Sequence, residues 1–321
     1  MAPPSPPLIA IVGPTGAGKS ALALAIARSH GGEIVSCDSL QVYRGLDIGS
    51  AKVSEVERRE VPHHLLDVVG PDQDFSAAEY ARLARSAVRE VASRGKIPIV
   101  AGGTGLYLRA LLEGLFEGPP RQSGLRHRLT NLASRYGDLR VHRLLRQVDP
   151  ATAAGVDPND RVRVVRALEV YFASGRPISE QRRQGADPLS GFRVLTLGLC
   201  PDRALLRIAI EQRTDAMLRA GLVDEAARLL ARGYSPSLRP LMAIGYRQAV
   251  RVARGEMSEA AARQEIVAET MRYAKRQMTW FRHQATVRWC ARAREAEDAA
   301  QAWIGAGEGP GPPLDLPPKG Q

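Results

Sequence analysis

The chain has 321 residues, with 45 Lys plus Arg against 34 Asp plus Glu and a formal net charge of +11. That length fills about two domains, and a composition of 44% hydrophobic and 25% charged residues excludes disorder over most of it. No apolar run approaches the roughly 20 residues of a membrane span, the N-terminus has no basic, signal-like start, and Cys37, Cys200 and Cys290 are too scattered for a disulfide framework or a zinc site. A cytoplasmic protein with free thiols is expected.

The Pro-rich residues 1–7 predict a flexible start. Leu8 to Val12 is a short continuous apolar run ending at Gly13, and Lys19 to Ser29 reads as a helix. Glu33 to Ser36 predicts a second strand. Ser76, followed three residues on by Glu79, has the form of a capping box opening a helix to about Ser93. Ile97 to Ala101 reads as a buried strand running into Gly102 and Gly103, with Pro98 acceptable only near its beginning. From Leu125 to Gly175 the pattern turns to helix after helix. Arg193 to Leu199 predicts a strand that returns to the sheet, Asp202 caps a long helix ending near Gly221, and further helices run to about His283. Residues 305–321, rich in Gly and Pro, predict a disordered tail.

Strands alternating with helices predict an α/β protein built on a parallel sheet flanked by helices. Residues 8–115 and 193–290 are expected to form this core, with its C-terminal helices, and 116–192 a helical insertion domain.

Gly13-Pro14-Thr15-Gly16-Ala17-Gly18-Lys19-Ser20 matches G-x-x-x-x-G-K-[ST] between a predicted strand and a predicted helix, the context this nucleotide- or ATP-binding type of P-loop requires. Its backbone amides and the helix N-terminus would face phosphate oxygens, Lys19 would reach the terminal phosphates, and the Ser20 hydroxyl could hold Mg2+. An anion with two or more phosphates fits such a cradle. No Asn-Lys-x-Asp guanine signature is present, and Ile97 to Ala101 ends in Gly-Gly rather than an acidic metal ligand, so a GTPase or a standard ATPase fits poorly.

Positive charge concentrates in residues 121–166 and 239–288, each with 10 basic against 4 acidic residues. Such patches suit a polyanion such as nucleic acid. A bias toward Arg, with Lys at only five positions, offers a compositional explanation. The loop and the charge leave a small-molecule kinase and a nucleotide-regulated RNA binder open. His63 and His64 read as loop or packing residues. Trp280 and Phe281 read as core, although a stacking surface is conceivable beside Lys275, Arg276 and Arg282.

After the second strand comes Asp38-Ser39-Leu40-Gln41, at the sheet edge where α/β enzymes place their sites. With it stand GPTGAGKS, SCDSLQVYRGLDIGSAK, VPHHLLDV, GGTGLYLRALLEGL, NDRVRVVRALEVY, GYRQ and KRQMTWFR. In this order, from about Leu8 to Arg288, these motifs resemble the bacterial tRNA dimethylallyltransferases, also called tRNA isopentenyl transferases. The resemblance implies a P-loop NTPase-like fold with a helical insertion. It implies transfer of a dimethylallyl group from dimethylallyl diphosphate to the exocyclic amine of the adenosine just 3′ of the tRNA anticodon, with Mg2+ and release of diphosphate. The partner is then the anticodon stem-loop, with no membrane, and a monomer is expected.

The resemblance also distributes roles. Asp38 stands at the family's general base, Thr104 and Arg213 join Lys19 at the diphosphate, and Asp38, Ser39, Leu40 and Gln41 match the adenosine-recognition stretch. Val162, Arg163, Val164, Val165 and Arg166 match a tRNA-contact stretch that usually begins with Gln, here replaced by Val162. Arg126 aligns with a further tRNA contact. Alkylation of free AMP, as in related cytokinin-forming enzymes, is the alternative substrate.

Overall fold

The computed structural model describes residues 5–306 except 116–117, 120–121 and 184–186; the expected disordered tail from residue 307 on, and the first four residues of the flexible start, lie outside the described residues. Along the chain the first half of the sheet layer runs β1 (Pro7–Val12), α1 (Lys19–His30), β2 (Gly32–Ser36), α2 (Glu55–Glu60), β3 (His63–His64), α3 (Ala77–Ser93), β4 (Ile97–Ala101) and α4 (Gly105–Leu112). Five helices follow, α5 (Ser123–Tyr136), α6 (Asp138–Val148), α7 (Pro150–Ala154), α8 (Arg161–Ser174) and α9 (Ile178–Arg183). The sheet resumes with β5 (Arg193–Leu199), then α10 (Arg203–Arg219), α11 (Leu222–Ala231), α12 (Tyr246–Ala253), α13 (Glu259–Gln284), β6 (Arg288–Cys290) and α14 (Ala293–Gly305).

The six strands pair in the order β3-β2-β4-β1-β5-β6, every pairing parallel. Parallel strands need crossovers that cover both faces, so their residues are buried on both sides and read as continuous apolar runs. Leu8, Ile9, Ala10 and Ile11 of β1 are fully buried, and every residue of β2 is buried. Pro98 is second in β4, and β1 pairs with that strand only from Ile99 onward, so its missing N–H falls ahead of that ladder. Ser76 accepts the Glu79 N–H at 3.1 Å as the N-cap of α3, while a full reciprocal capping box occurs at Ser54 and Glu57, opening α2.

Elements beyond those expected complete the sheet layer. β6 adds an edge strand, and α14 lays Ala296, Ala299, Ala300 and Trp303 into the same core as α1 and β5. Cys290 and Trp303 are buried there, with the Arg193 guanidinium 4.6 Å from the Trp303 ring centre. His63 and His64 form the opposite edge strand, and His64 Nε2 bonds the buried Glu33 carboxylate at 2.7 Å, so both are packing residues. Phe281 is buried, and the half-buried Trp280 packs over Gly105, where a Cβ would lie 2.2 Å from the indole.

Cα proximity divides the chain into two compact units, residues 1–111 with 189–321, and residues 112–188. The second unit has its own core, centred on Leu129, Val141, Leu145, Val164, Val165 and Leu168. No helix among the described residues is long and apolar enough to cross a membrane.

Candidate active site

The carboxyl ends of the parallel strands converge on one edge, and the loops leaving β1, β2 and β4 build the site there. The loop after β1 turns at Gly13, with φ of 136°, where a Cβ would lie 2.6 Å from the Leu199 carbonyl oxygen of neighbouring β5. Only glycine fits so close to that strand. Gly16 and Gly18 also have positive φ, and Gly18 is the left-handed cap of α1. Pro14 is buried, Thr15, Ala17 and Lys19 are half-buried, and Ser20 is exposed in the first turn of α1. Lys19 Nζ donates to the Pro14 carbonyl at 2.7 Å.

α10 closes one side of this loop. A Cβ on Gly16 would lie 3.0 Å from Ile210, and Arg213 lies three residues further along, on the same helix face. Arg213 makes no ion pair among the described residues. Burial, opposed by nearby Asp38, holds its pKa below the ordinary arginine value. Lys19 is affected more clearly: desolvation and the Arg213 charge lower its pKa to about 8, against the pull of Asp38 and Cys37. Two cations and one carboxylate therefore share the sheet edge within electrostatic reach.

Asp38 Oδ1 accepts the N–H groups of Leu40 at 2.8 Å and Gln41 at 3.4 Å, leaving Oδ2 without a hydrogen-bond partner among the described residues. Behind it the Cys37 thiol is buried against the Tyr80 hydroxyl, and desolvation pushes its pKa up to about 12, so it is an inert thiol rather than a nucleophile. Thr104 immediately precedes α4 and accepts the Ser39 N–H on Oγ1 at 3.1 Å, which keeps its hydroxyl proton for another acceptor. The Gly-Gly before it is a matter of fit: a Cβ on Gly102 would fall 2.0 Å from the Cys37 carbonyl oxygen.

Gln41 departs from the adenosine-reading expectation. Its amide accepts from Ser36 Oγ at 2.9 Å and donates to the Ser50 and Ala51 carbonyls at 3.2 and 3.3 Å, so its polar edge is already used inside the protein. The loop from Asp38 to Lys52 is then pinned by Glu225 of α11. That buried carboxylate accepts the N–H groups of Asp47, Ile48 and Gly49 and the Tyr246 hydroxyl.

Within the helical unit the expected tRNA-contact stretch opens α8. Val164 and Val165 are 1% and 2% exposed, and this corrects their assignment to RNA contact: they pack the unit's core. Val162 is 75% exposed, and Arg163 is exposed beside Asp160. Arg126 and Arg166 are half-buried and converge on Glu169, at 2.9 and 3.1 Å. Burial pushes the Glu169 pKa up, but the bonds from Arg126, the Gln122 N–H and Arg166 outweigh it and hold the carboxyl below its ordinary value. Sequence reasoning by residue missed Arg128, Arg135, Arg140, Arg143 and Arg146 of α5 and α6. All are exposed and free of ion pairs among the described residues, and Arg135 and Arg140 flank the Tyr136 ring. Their only signal was the local charge excess. In the second basic stretch Arg247, Arg251, Arg254 and Arg263 pair with Glu269, Glu265, Glu256 and Asp215, while Arg239, Lys275, Arg276, Arg282 and Arg288 make no ion pair among the described residues.

Comparison with known proteins bears on this architecture. The family model described as IPP transferase matches residues 41–284. The tRNA dimethylallyltransferase of Solibacter usitatus is 50% identical over 88% of this chain and 92% of its own length, and that of Koribacter versatilis is 49% identical over the same shares. The crystal structure of the full-length tRNA isopentenylpyrophosphate transferase from Bacillus halodurans superposes with a TM-score of 0.67 at 35% identity, covering 94% of this chain and 96% of that one. A eukaryotic dimethylallyltransferase caught acting on tRNA gives a TM-score of 0.76 at 25% identity, covering 95% and 81%. With a matched family model across most of its length and half of the 284 aligned residues shared with such a relative, the chain belongs to the IPP transferase family, the tRNA dimethylallyltransferases.

Proposed function

We propose that this enzyme transfers the dimethylallyl group of dimethylallyl diphosphate to the exocyclic amine of the adenosine 3′ to the tRNA anticodon and releases diphosphate. The observation that carries the donor assignment is the grouping of Lys19 and Arg213, two cations close enough for the second to lower the pKa of the first, beside the glycine loop and within reach of the Asp38 carboxylate. A diphosphate ester matches two cations and a row of loop amides.

Chemistry follows from where charge grows. As the carbon–oxygen bond breaks, the leaving diphosphate gains negative charge while the allylic carbon becomes positive. The loop amides, Lys19, Arg213 and the Thr104 hydroxyl would stabilise that growing charge, each fixed donor being worth about 3 kcal/mol. An adenine amine is a weak nucleophile. Asp38, anchored through Oδ1 by two backbone amides, keeps Oδ2 to orient the amine and accept its proton.

Mg2+ fits this donor set as an ion carried on the phosphates. Among the described residues no group of three His, Cys, Asp or Glu could hold a metal, but Ser20 presents an exposed hydroxyl at the loop's end. Mg2+ is commonly held by one or two protein oxygens plus substrate phosphates. Bound there, it would add positive charge against the leaving group.

For the acceptor, the adenosine must leave its stack, which costs a few kcal/mol. The exposed arginines of α5 and α6 suit the phosphate backbone of a stem-loop.

The test is direct. Purified protein, tRNA, dimethylallyl diphosphate and Mg2+ are incubated and the tRNA nucleosides analysed by mass spectrometry. Gain of one C5H8 unit on a single adenosine without ATP is expected. Phosphate transfer from ATP to a small acceptor, or alkylation of free AMP in place of tRNA, would overturn the reading.

A further inference from the structure

We infer that Gln277 of α13 is a positioning residue for the donor, holding the phosphate loop in register with the turn that carries Thr104. The inference rests on the donor site proposed above.

Gln277 is 6% exposed, and both ends of its amide are used. Oε1 accepts the Thr15 N–H of the phosphate loop at 2.9 Å, and Nε2 donates to the Gly103 carbonyl at 2.9 Å. One planar group therefore ties the loop leaving β1 to the turn leaving β4, two segments that do not otherwise share a side-chain hydrogen bond among the described residues. The next link is short: Thr104 follows Gly103 and bonds Ser39, the neighbour of Asp38. The bridge also explains why position 103 is glycine, because a Cβ there would sit 2.2 Å from Gln277 Nε2. From the helix side, the Tyr273 hydroxyl, one turn earlier on α13, lies against the same amide.

Two consequences follow for the anion. Thr15 keeps its N–H turned to Gln277 and away from the cradle, so the donor's charge falls to the later amides of the loop. Thr104, a proposed diphosphate contact, is set at a fixed distance from those amides. With its amide buried and bonded at both ends inside the protein, Gln277 would act on the donor's diphosphate through the loop and the turn, and its loss would leave the surface of the helical unit unaltered.

Steady-state kinetics of the full chain test this with Gln277→Met, which keeps the volume and removes both bonds. The donor KM and the inhibition constant of inorganic diphosphate are expected to rise together by about tenfold, as displaced binding groups do. The tRNA KM should stay within about twofold of wild type. A fall in kcat with both KM values unchanged would show only a smaller folded fraction and would overturn the inference. So would a tRNA KM that rises as far as the donor KM.

Gly103→Ala approaches the same bridge from the other side without touching α13. It should reproduce the donor-specific loss, and adding it to Gln277→Ala, where space is open, should cost less than twofold more. Additive losses would sink the idea. Calorimetric binding of inorganic diphosphate to wild type and variants reads out Gln277 separately from the function: a wild type that binds diphosphate but does not prenylate tRNA fails the functional reading alone.

Discussion

The depressed lysine in the phosphate loop makes a prediction about pH. In the free enzyme, desolvation and the nearby Arg213 lower the Lys19 pKa from the ordinary 10.5 to about 8. Below about pH 8 both folded and unfolded chains carry the proton, and the folded state bears the full penalty of a crowded cation, about 3 kcal/mol. Between about pH 8 and 10.5 only the unfolded chain keeps the proton, so this group's contribution to stability improves as pH rises through that window. Donor binding reverses the balance, since a diphosphate beside Lys19 favours the charged form. The donor kcat/KM, which reports the free enzyme, should therefore fall above about pH 8 by about tenfold per unit, while kcat at saturating donor holds to higher pH. Initial rates at saturating tRNA over this range measure both limbs. Calorimetry in two buffers of different ionisation enthalpy should show proton uptake on binding a donor analogue at about pH 9 and almost none near pH 7. Lys19→Arg, slower because its fork does not fit a point-charge site, should lose the limb near pH 8. A wild-type profile with no bend there, or a bend that survives Lys19→Arg, refutes the reasoning.

Other substitutions probe the neighbouring parts. Asp38→Asn should lower kcat by about 100-fold or more while donor and tRNA affinities stay near wild type, measured by single-turnover rates and equilibrium binding; retained turnover would remove Asp38 as the base. Glu225→Gln replaces one acceptor oxygen by an NH2 that faces backbone N–H groups, with an expected loss of about 3 kcal/mol. Scanning calorimetry should then show a melting temperature lower by about 6–12 °C, and an unchanged melt would mean that Glu225 does not hold the Asp47–Gly49 backbone. Val162→Gln, at a position 75% exposed, should tighten tRNA binding by about two- to tenfold through one added amide contact, and filter binding that shows no gain would place that part of α8 outside the RNA surface.

How much of this was legible in the sequence depends on how far apart the cooperating residues lie. β1, β2, β4 and β5 announced themselves because central parallel strands are buried on both faces. The edge strands did not: β3 is two histidines and β6 three residues, too short and too polar for an apolar run. α14 carried a helical spacing in Ala296, Ala299, Ala300 and Trp303, but alanines give a weak apolar stripe. The phosphate loop was legible because its residues are contiguous. Asp38 stood out by its place after a strand at the sheet edge, but its role, and that of Thr104, came by resemblance, since an aspartate after a strand or a threonine before a helix commonly serves as a turn or cap. Gln277 was out of reach, with partners 262 and 174 positions away. Val164 and Val165 show the opposite error, in which a motif was carried over whole although helical periodicity sends two of its five residues into the core.

The crowding of Lys19 and Arg213 also bears on what limits the reaction. Cations that attract donor and transition state equally lower KM without raising kcat; only their interaction with charge that grows during bond breaking accelerates transfer. The bridging oxygen of the donor ester carries no charge, whereas the same oxygen in the released diphosphate does. A site built from fixed amides and two cations that relieve each other's repulsion by sharing an anion must therefore hold the product more strongly than the donor. Inorganic diphosphate should bind about tenfold or more tighter than a non-reactive donor analogue, and its release should govern turnover at saturating substrates. Pre-steady-state mixing would then show a burst of prenylated tRNA equal to the enzyme present, which shrinks when Arg213→Lys weakens the grip on the product. Linear product formation from the first turnover, with diphosphate bound no better than the analogue, would mean that these cations serve capture alone and that the bond-breaking step sets the rate.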